Sequence, residues 1–336
     1  MLEHGGNLRA AALRFGRPLQ DWLDLSTGIN PHAYPAPELG ANIWQRLPEP
    51  DPMLALAAGA YYQAPLMLPV AGTQAAIQAL PRLRAMLCPG ANASVIVAAP
   101  SYAEHAHHWA QHGHLMQQVP YAELEAQVDA CDVLVVCNPN NPTGAMIGAE
   151  QLLDWAARLA RRGGWLVVDE AFGDMTPENS VAPWSDMPGL IVLRSVGKFF
   201  GLAGLRLGFV SAQEATLAAL ANLLGPWAVS SAAQQIGVVA LKDVAWHSAM
   251  RLQLQQAGAR LQQLLARHGI LSSGTDLYQW WPLPHLAASA FWQHMAQRGI
   301  WVRLFPHAAQ GIRLGLPPDE VGWQRLEAAL AESFIA

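Results

Sequence analysis

The sequence predicts an α/β fold built around a mostly parallel β-sheet. In the middle of the chain, short runs of β-branched and aliphatic residues alternate with longer segments whose apolar residues have helical spacing. This is the pattern of repeated strand–helix units. The strand-like runs show no alternation of polar and apolar residues, as is typical of strands covered on both faces. The pattern changes after about residue 225, which predicts a second, smaller α+β domain.

The predicted elements begin with a segment of about 40 residues, rich in Gly, Asn and Pro, that indicates an arm or lid. Buried strands are expected at Ser94–Ala99, Asp132–Cys137, Trp165–Asp169, Leu190–Arg194 and Leu207–Val210. Glu150–Arg162 has helical spacing and a basic C-terminal end, so it predicts a crossover helix. For the smaller domain we predict helices at Ser231–Leu241, Val244–His268 and Asp319–Phe334, and short strands near Tyr278–Trp281 and Ile312–Leu314.

The composition argues against several classes of function. Only 13% of the 336 residues are charged, and the net charge of −5 comes with no basic block, so no nucleic-acid binding is expected. No apolar run approaches the ~20 residues that span a bilayer, so no membrane association is expected either. Three cysteines are too few, and odd in number, for a disulfide framework. Because the N-terminus also lacks an apolar signal segment, we expect a cytoplasmic protein.

Lysine is rare in this chain. Of its 20 Lys and Arg residues, two are lysines, Lys198 and Lys242. A coding bias toward Arg explains the ratio, but it also favours keeping lysine where arginine cannot replace it. Schiff-base chemistry is such a task, because an amine can lose its proton and a guanidinium cannot.

The segment from Arg194 to Phe209, RSVGKFFGLAGLRLGF, is the strongest candidate for a functional site. It follows a predicted strand and carries Ser195, Lys198 and Arg206. A hydroxyl, an amine and a guanidinium at one strand end can bind a phosphate and present a nucleophile beside it. The glycines allow the backbone to approach a ligand closely.

Three further segments are weaker when taken singly. Gly72-Thr73-Gln74 opens a helical pattern, and a helix N-terminus binds phosphate readily. Asn141 lies in the turn CNPNNPTG directly after a strand, where its amide can donate to a phenolate oxygen. Asp169 ends a strand, where a carboxylate can pair with a protonated pyridine nitrogen.

In chain order, these segments give a phosphate cup, the aromatic residue of Pro100-Ser101-Tyr102, a turn Asn, a strand-end Asp and then Ser-x-x-Lys-x7-Arg. This order resembles fold-type I pyridoxal-phosphate (PLP) enzymes of the class I/II aminotransferase family over essentially the whole chain. The resemblance implies a large domain with a seven-stranded sheet, a small α+β domain, and a homodimer with a shared active site. We place the arm, with part of the small domain, at residues 1–44, the large PLP-binding domain at 45–228 and the small domain at 229–336.

The resemblance also implies residue roles. Lys198 carries the cofactor as a Schiff base, Asp169 pairs with the ring nitrogen, Asn141 binds the ring hydroxyl oxygen and Tyr102 stacks on the ring. The residues implied to hold the phosphate are Gly72, Thr73, Gln74, Ser195 and Arg206, with Tyr61 reaching it from the other subunit. Relatives often have Ser or Thr where this chain has Gln74, so backbone donors are expected to dominate there.

Four features resemble the threonine-phosphate decarboxylase branch of the family. They are His4-Gly-Gly-Asn7, the segment DLSTGINP from Asp24, the run KFFGLAGLR from Lys198, and Phe172, which stands where aminotransferases usually have Tyr beside the ring hydroxyl. This resemblance implies a phosphorylated amino acid as the substrate. L-threonine O-3-phosphate would be decarboxylated to (R)-1-amino-2-propanol O-2-phosphate, a building block of cobalamin. The implied substrate residues are His4, Asn7, Gly28, Asn30, Arg303 for the phosphate and Arg313 for the carboxylate.

Two other functions stay open at this point. A histidinol-phosphate-type aminotransferase would use the same lysine and arginines, and a catalytically silent PLP-fold regulator would usually have lost Lys198 or Asp169. His105, His108 and His112 share one helical face, but no third-ligand motif accompanies them. We therefore expect an amphipathic surface helix there and no metal site.

Overall fold

The computed structural model describes residues 4–90, 92–307 and 309–332. Its strands are β1 (Leu23–Asp24), β2 (Leu68–Val70), β3 (Ser94–Ala99), β4 (Leu115–Pro120), β5 (Val133–Cys137), β6 (Trp165–Asp169), β7 (Leu190–Ser195), β8 (Gly208–Ser211), β9 (Ser273–Thr275), β10 (Tyr278–Pro282), β11 (Ile300–Trp301), β12 (Arg303–Phe305) and β13 (Gly311–Gly315). Its α-helices are α1 (Leu8–Phe15), α2 (Pro52–Tyr62), α3 (Thr73–Leu87), α4 (Ala103–Gln111), α5 (Leu124–Gln127), α6 (Ala149–Ala160), α7 (Glu214–Leu224), α8 (Ser231–Lys242), α9 (Val244–Arg267), α10 (His285–Gln297) and α11 (Glu320–Ala331).

The chain forms two compact units. The large unit comprises Ala33–Asn141 and Ala145–His247, and the small unit comprises Met1–His32, Pro142–Gly144 and Ser248–Ala336. The limits between them lie at 32/33 and 247/248, whereas the sequence placed the domain limits at 44/45 and 228/229. The division into functional domains stays a prediction.

The large unit contains a seven-stranded sheet in the order β2-β8-β7-β6-β5-β3-β4. Strands β4, β3, β5, β6 and β7 pair in parallel, while β8 is antiparallel to both of its neighbours, β7 and β2. The predicted α/β fold with a mostly parallel sheet is therefore confirmed. The five predicted strands coincide with β3, β5, β6, β7 and β8 to within one residue at each end, and β2 and β4 were missed.

Both faces of this sheet are buried, which explains the uninterrupted apolar runs. Val133 and Val135 of β5 lie in a core cluster with residues of α3, α4 and α7. Leu134 and Val136 point to the opposite face because side chains alternate along a strand, and they too are at most 1% exposed. Helix α6 packs against β6 and has a buried apolar stripe consisting of Leu152, Trp155, Ala156 and Leu159.

The small unit contains an antiparallel sheet in the order β12-β13-β10-β9 and a short parallel pair, β1 and β11. Helix α10 packs against β11, β12 and β13. Edge-to-face and tilted contacts join the rings of Phe15, Trp22, Trp292 and Trp301, with centroids 5.0–6.4 Å apart. The predicted α+β character is confirmed, and Phe334, the predicted end of the last helix, lies outside the described residues. Within the described ranges, no helix has both the length and the apolarity to cross a bilayer.

Candidate active site

The site is an open cleft in the large unit, with an empty volume of about 730 Å³ that includes open solvent. Strands β5, β6 and β7 run parallel and end at Cys137, Asp169 and Ser195, so their carboxyl ends meet at one edge of the sheet. Ten of the eleven predicted cofactor residues line this cleft: Gly72, Thr73, Gln74, Tyr102, Asn141, Asp169, Phe172, Ser195, Lys198 and Arg206. Because these side chains come from segments up to 134 positions apart (206 − 72), the fold is what brings them together.

One end of the cleft has the character of a phosphate site. Helix α3 begins after Gly72, and no side chain caps its N-terminus. A Cβ atom on Gly72, whose φ is +74°, would lie 2.6 Å from Nη2 of Arg206, and one on Gly208 would lie 2.7 Å from the Thr73 amide nitrogen. These two glycines therefore let the guanidinium and strand β8 lie directly against the helix start. A helix N-terminus beside an arginine is a favourable environment for a phosphate dianion.

Another part of the cleft is built around Asp169, which is 5% exposed. Its Oδ1 accepts a hydrogen bond from the Ala171 amide at 3.0 Å, and its Oδ2 lies 2.9 Å from Nε2 of His105. Burial alone would lower the pKa of His105, but hydrogen bonds to Asp169 and Cys137 outweigh it and raise that pKa to about 10. His105 is therefore protonated at neutral pH and donates to the carboxylate.

The position of His105 corrects a prediction. We expected helix α4 to carry its histidines on the surface, yet His105 and His108 are buried, at 2% and 9% exposure. Atoms of His105, Cys137 and Asp169 that could bind a metal lie within 4.8 Å of one another. The His105–Asp169 separation is that of a hydrogen bond, and the raised pKa of His105 indicates a proton between the two side chains. The sequence offered no signal for this pairing, because the partners are 64 positions apart.

The His105–Asp169 pair leads to a stability prediction. A group whose pKa rises on folding, here from 6.5 to about 10, contributes stability that is complete below pH 6.5 and is lost as the pH rises through 10. We expect His105→Leu to lower the free energy of unfolding of the cofactor-free protein by about 3 kcal/mol at pH 6, because it leaves a buried carboxylate without its cation. Urea unfolding of both proteins between pH 6 and 10 should show this difference shrinking. A difference that is constant across the range would contradict the ion pair.

Asn141 reaches the cleft through a turn held by its neighbours. Asn138 donates from Nδ2 to the carbonyl of Ile147 at 3.0 Å and accepts from the Ile147 amide at 2.8 Å. Asn140 donates to the carbonyl of Pro100 at 2.9 Å. The side-chain amides of Asn138 and Asn140 thus hold the turn in place. Asn141 is the asparagine of this turn whose residue lines the cleft.

Lys198 follows β7 and lies beside Phe172 in the cleft. Its Nζ is 5.2 Å from the centroid of the Phe172 ring, which is 5% exposed. The hydroxyl of Ser195 accepts a hydrogen bond from the Gly197 amide at 3.1 Å and so orders the backbone just before the lysine. The amine is thus held against an apolar surface that can neither donate nor accept a hydrogen bond.

The donor set fits PLP. The cleft offers an amine at Lys198, a buried carboxylate at Asp169 for a ring nitrogen and an aromatic ring at Tyr102. The start of α3, two hydroxyls and the Arg206 guanidinium suit a phosphate. The two glycines described above let the Arg206 guanidinium and strand β8 lie against the helix start.

The predicted substrate arginines lie together in the small unit. Arg303 on β12 and Arg313 on β13 are paired in register across the antiparallel ladder. Both guanidinium groups lie over the ring of Phe305, at 5.1 and 5.9 Å from its centroid. Burial lowers the pKa of Arg313 to about 10, and the nearby charge of Arg303 adds to this effect. Bound anions would relieve that electrostatic cost.

Two other predicted residues, Asn7 and Asn30, have local structural roles. Asn7 caps α1 by accepting from the Ala10 amide, and Oδ1 of buried Asn30 accepts from the His32 amide at 2.8 Å. Gly28 has a φ of +62°, and His4 is exposed. Tyr61 is not among the residues that line the cleft; its ring contacts Tyr62, Phe200 and His247. The substrate roles of the four small-unit residues and the phosphate role of Tyr61 stay predictions.

Known proteins resemble this chain along nearly all its length. Residues 57–322 match the family "Aminotransferase class I and II". The chain is 51% identical over 331 residues to the threonine-phosphate decarboxylase of Pseudomonas aeruginosa, which covers 98% of this chain and 97% of the relative. It is 41% identical over 334 residues to that of a Sinorhizobium species, with the same coverage. The structure of histidinol-phosphate aminotransferase from Sinorhizobium meliloti with pyridoxal-5'-phosphate matches with a TM-score of 0.84 at 23% identity, covering 98% of this chain and 95% of that chain; this likeness shows the fold alone.

Proposed function

Since the chain belongs to the class I and II aminotransferase family, we propose that it is a PLP-dependent carboxy-lyase that decarboxylates L-threonine O-3-phosphate. The products are CO2 and (R)-1-amino-2-propanol O-2-phosphate. The observation that carries the proposal is the similarity, over nearly the whole chain, to two threonine-phosphate decarboxylases at 51% and 41% identity. The cleft supports it, since it brings together ten of the eleven residues predicted to hold the cofactor.

When bound, PLP supplies an electron sink for the electron pair of the bond that breaks at Cα. The chain's own residues determine the rest. Lys198 would hold the group covalently, and Asp169, with its hydrogen bond from His105, would keep the ring nitrogen protonated. After CO2 leaves, Lys198 is the proposed donor of the proton that returns to Cα. Phe172, whose ring centroid lies 5.2 Å from Nζ of Lys198, offers no hydroxyl that could take that proton.

Arg313 and Arg303 are the proposed anchors for the two anionic groups of the substrate. A doubly anionic amino acid matches two neighbouring guanidinium groups. We expect Arg313→Ala to lower kcat/KM by about 100-fold, because it removes a buried charge partner, and to act mainly through KM. The control is Arg260→Ala, because Arg260 is an exposed arginine on α9. Steady-state kinetics of both variants should separate the loss of an anchor from the loss of a positive charge in general. An unchanged KM for Arg313→Ala would contradict the assignment.

Phe172 is the proposed determinant of reaction type. A tyrosine here would bring a hydroxyl next to Lys198, whose Nζ is 5.2 Å from the ring. We expect Phe172→Tyr to acquire slow transamination while decarboxylation falls by about tenfold, the size of one hydrogen-bond effect. The test is 2-oxoglutarate-dependent formation of glutamate by the variant and the wild type. If the variant shows no transamination, this residue does not set the reaction type.

The decisive assay supplies L-threonine phosphate without any keto acid. Release of CO2 under these conditions is the expected result. Activity that requires 2-oxoglutarate would instead favour the histidinol-phosphate-type aminotransferase. A protein that stays colourless after addition of PLP would favour the silent PLP-fold regulator.

The homodimer and the cytoplasmic location stay predictions within this proposal. A surface of the large unit supports the dimer: the 3-10 turn Ala41–Trp44, α2 and α8 pack together and expose the side chains of Trp44, Met53, Leu56 and Val239. Tyr61 belongs to the same α2 helix, consistent with its proposed action across subunits. The molar mass in solution, measured by light scattering, tests this assembly.

A further inference from the structure

A chain of side-chain hydrogen bonds leads away from the cleft into helix α4. The Tyr102 hydroxyl donates to Oε1 of Gln74 at 3.2 Å, and Nε2 of Gln74 donates to Oε2 of Glu104 at 2.7 Å. The same Glu104 oxygen lies 3.0 Å from Nε2 of His108. These four residues, Tyr102, Gln74, Glu104 and His108, are called the relay. Two of them, Tyr102 and Gln74, line the cofactor cleft, and the other two do not.

The chemistry of the groups fixes the direction of each bond. A carboxylate can only accept, so Glu104 accepts hydrogen bonds from Nε2 of Gln74 and from Nε2 of His108. The Gln74 amide therefore turns its NH2 toward Glu104 and its oxygen toward Tyr102. Burial, followed by the charges of Glu104 and Asp169, raises the pKa of Tyr102. Tyr102 therefore stays a neutral phenol that donates to Gln74.

The relay is built into the protein interior. Glu104 and His108 are each about nine-tenths buried, and they lie one helical turn apart on α4. Glu104 is the second residue of α4, where the helix dipole favours a negative charge. A buried carboxylate with several partners holds those partners in one arrangement more firmly than a solvated one does.

We propose that Glu104 and His108 are positioning residues that hold Gln74 at the phosphate end and Tyr102 at the ring face of the cofactor cleft in the arrangement that binds PLP. The inference rests on the PLP assignment in the proposed function but not on the identity of the substrate. Backbone donors were expected to bind the phosphate at this position, which left the side chain of Gln74 without a role. In the relay, that side chain connects Tyr102 to Glu104. Glu104 acts through Gln74 and touches no cofactor itself.

The experiment measures binding of PLP to the full-length chain after removal of the cofactor. Glu104→Ala should raise the Kd for PLP by about tenfold to 100-fold, the effect of losing a hydrogen bond to a charged group. Glu104→Gln should stay within about threefold of wild type, because its amide oxygen still accepts from Gln74. The visible circular dichroism of bound PLP, which reports the orientation of the ring, should change in Glu104→Ala and recover in Glu104→Gln.

Glu150→Ala is the matched control. Glu150 is the second residue of α6, as Glu104 is of α4, but it is exposed and lies outside the relay. It tests the loss of a helix N-terminal charge alone, and its PLP affinity should equal that of wild type. Thermal unfolding of each cofactor-free variant establishes that it is folded.

A double mutant separates the relay from independent effects. Gln74→Ala and Glu104→Ala should each weaken PLP binding. The double variant should bind PLP as tightly as the single variant with the lower PLP affinity, because both substitutions remove the same connection. Additive losses, or a Glu104→Ala variant that binds PLP as wild type does, would overturn the relay alone. A wild-type chain that fails to bind PLP would overturn both the relay and the proposed function.

Discussion

Replacing Lys198 with Arg is expected to abolish decarboxylation, with a loss of at least about 10⁴-fold, the upper range for a general acid–base group. A guanidinium keeps its proton at neutral pH, so it can neither hold the cofactor covalently nor deliver a proton as an amine does. The variant preserves charge and much of the side-chain length, which limits the change to the chemistry of the amine. Release of CO2 from L-threonine phosphate is the measurement.

The chain provides its own control for this experiment. Lys242, the other lysine, is the last residue of α8 and is not among the residues that line the cleft. Lys242→Arg should keep full activity and the visible absorbance that borohydride removes, whereas Lys198→Arg should lack both. A Lys198→Arg protein with the absorbance of wild type would place the Schiff base on another amine.

Asp169→Asn is expected to lower kcat by about 10³-fold, the scale for removing one preorganised electrostatic group from a buried site. The amide is nearly the same size but cannot hold a proton on a pyridine nitrogen. The hydrogen bond from His105 at 2.9 Å would also lose its charged acceptor. Because the phosphate end is untouched, PLP should still bind, and the absorbance of the bound cofactor should shift.

An exposed carboxylate serves as the comparison for Asp169. Asp154 on α6 pairs with Arg158 at the surface, with 62% of its side chain exposed. Asp154→Asn should leave kcat unchanged. If Asp169→Asn also stayed within tenfold of wild type, the ring nitrogen would not depend on this carboxylate.

Strands with uniform apolar character could be predicted from sequence, and those with mixed character could not. Strand β6 (WLVVD) was placed to the residue because burial on both faces makes its first four residues uniformly apolar. Strand β4 (LMQQVP) lies at the sheet edge, where several side chains are exposed and glutamines are tolerated, so its pattern resembled a loop. The three-residue β2 is too short to have any period.

The residues of the cleft were predictable where they lie at strand ends or in a short motif, as Asp169 and Lys198 do. Their supporting contacts were not, because these depend on how α4 packs against the sheet. His105 was read as one member of a surface stripe, and only its position beside Asp169 reveals its task. Gln74 was noted as a departure from relatives, and its contact with Glu104 could not be anticipated from spacing.

The ladder of the large sheet also limits how this enzyme can diversify. Asp169 and Ser195 end adjacent parallel strands, with Asp169 opposite Leu193 in the register. The span between the Cα atoms of Asp169 and Ser195 is therefore set by the ~4.8 Å strand spacing and a two-residue offset, both of which are backbone quantities. Substitutions cannot lengthen that span without shifting a whole strand. New specificities should therefore arise at positions such as Phe172, Arg303 and the N-terminal segment, while the backbone spacing between Asp169 and Ser195 stays constant.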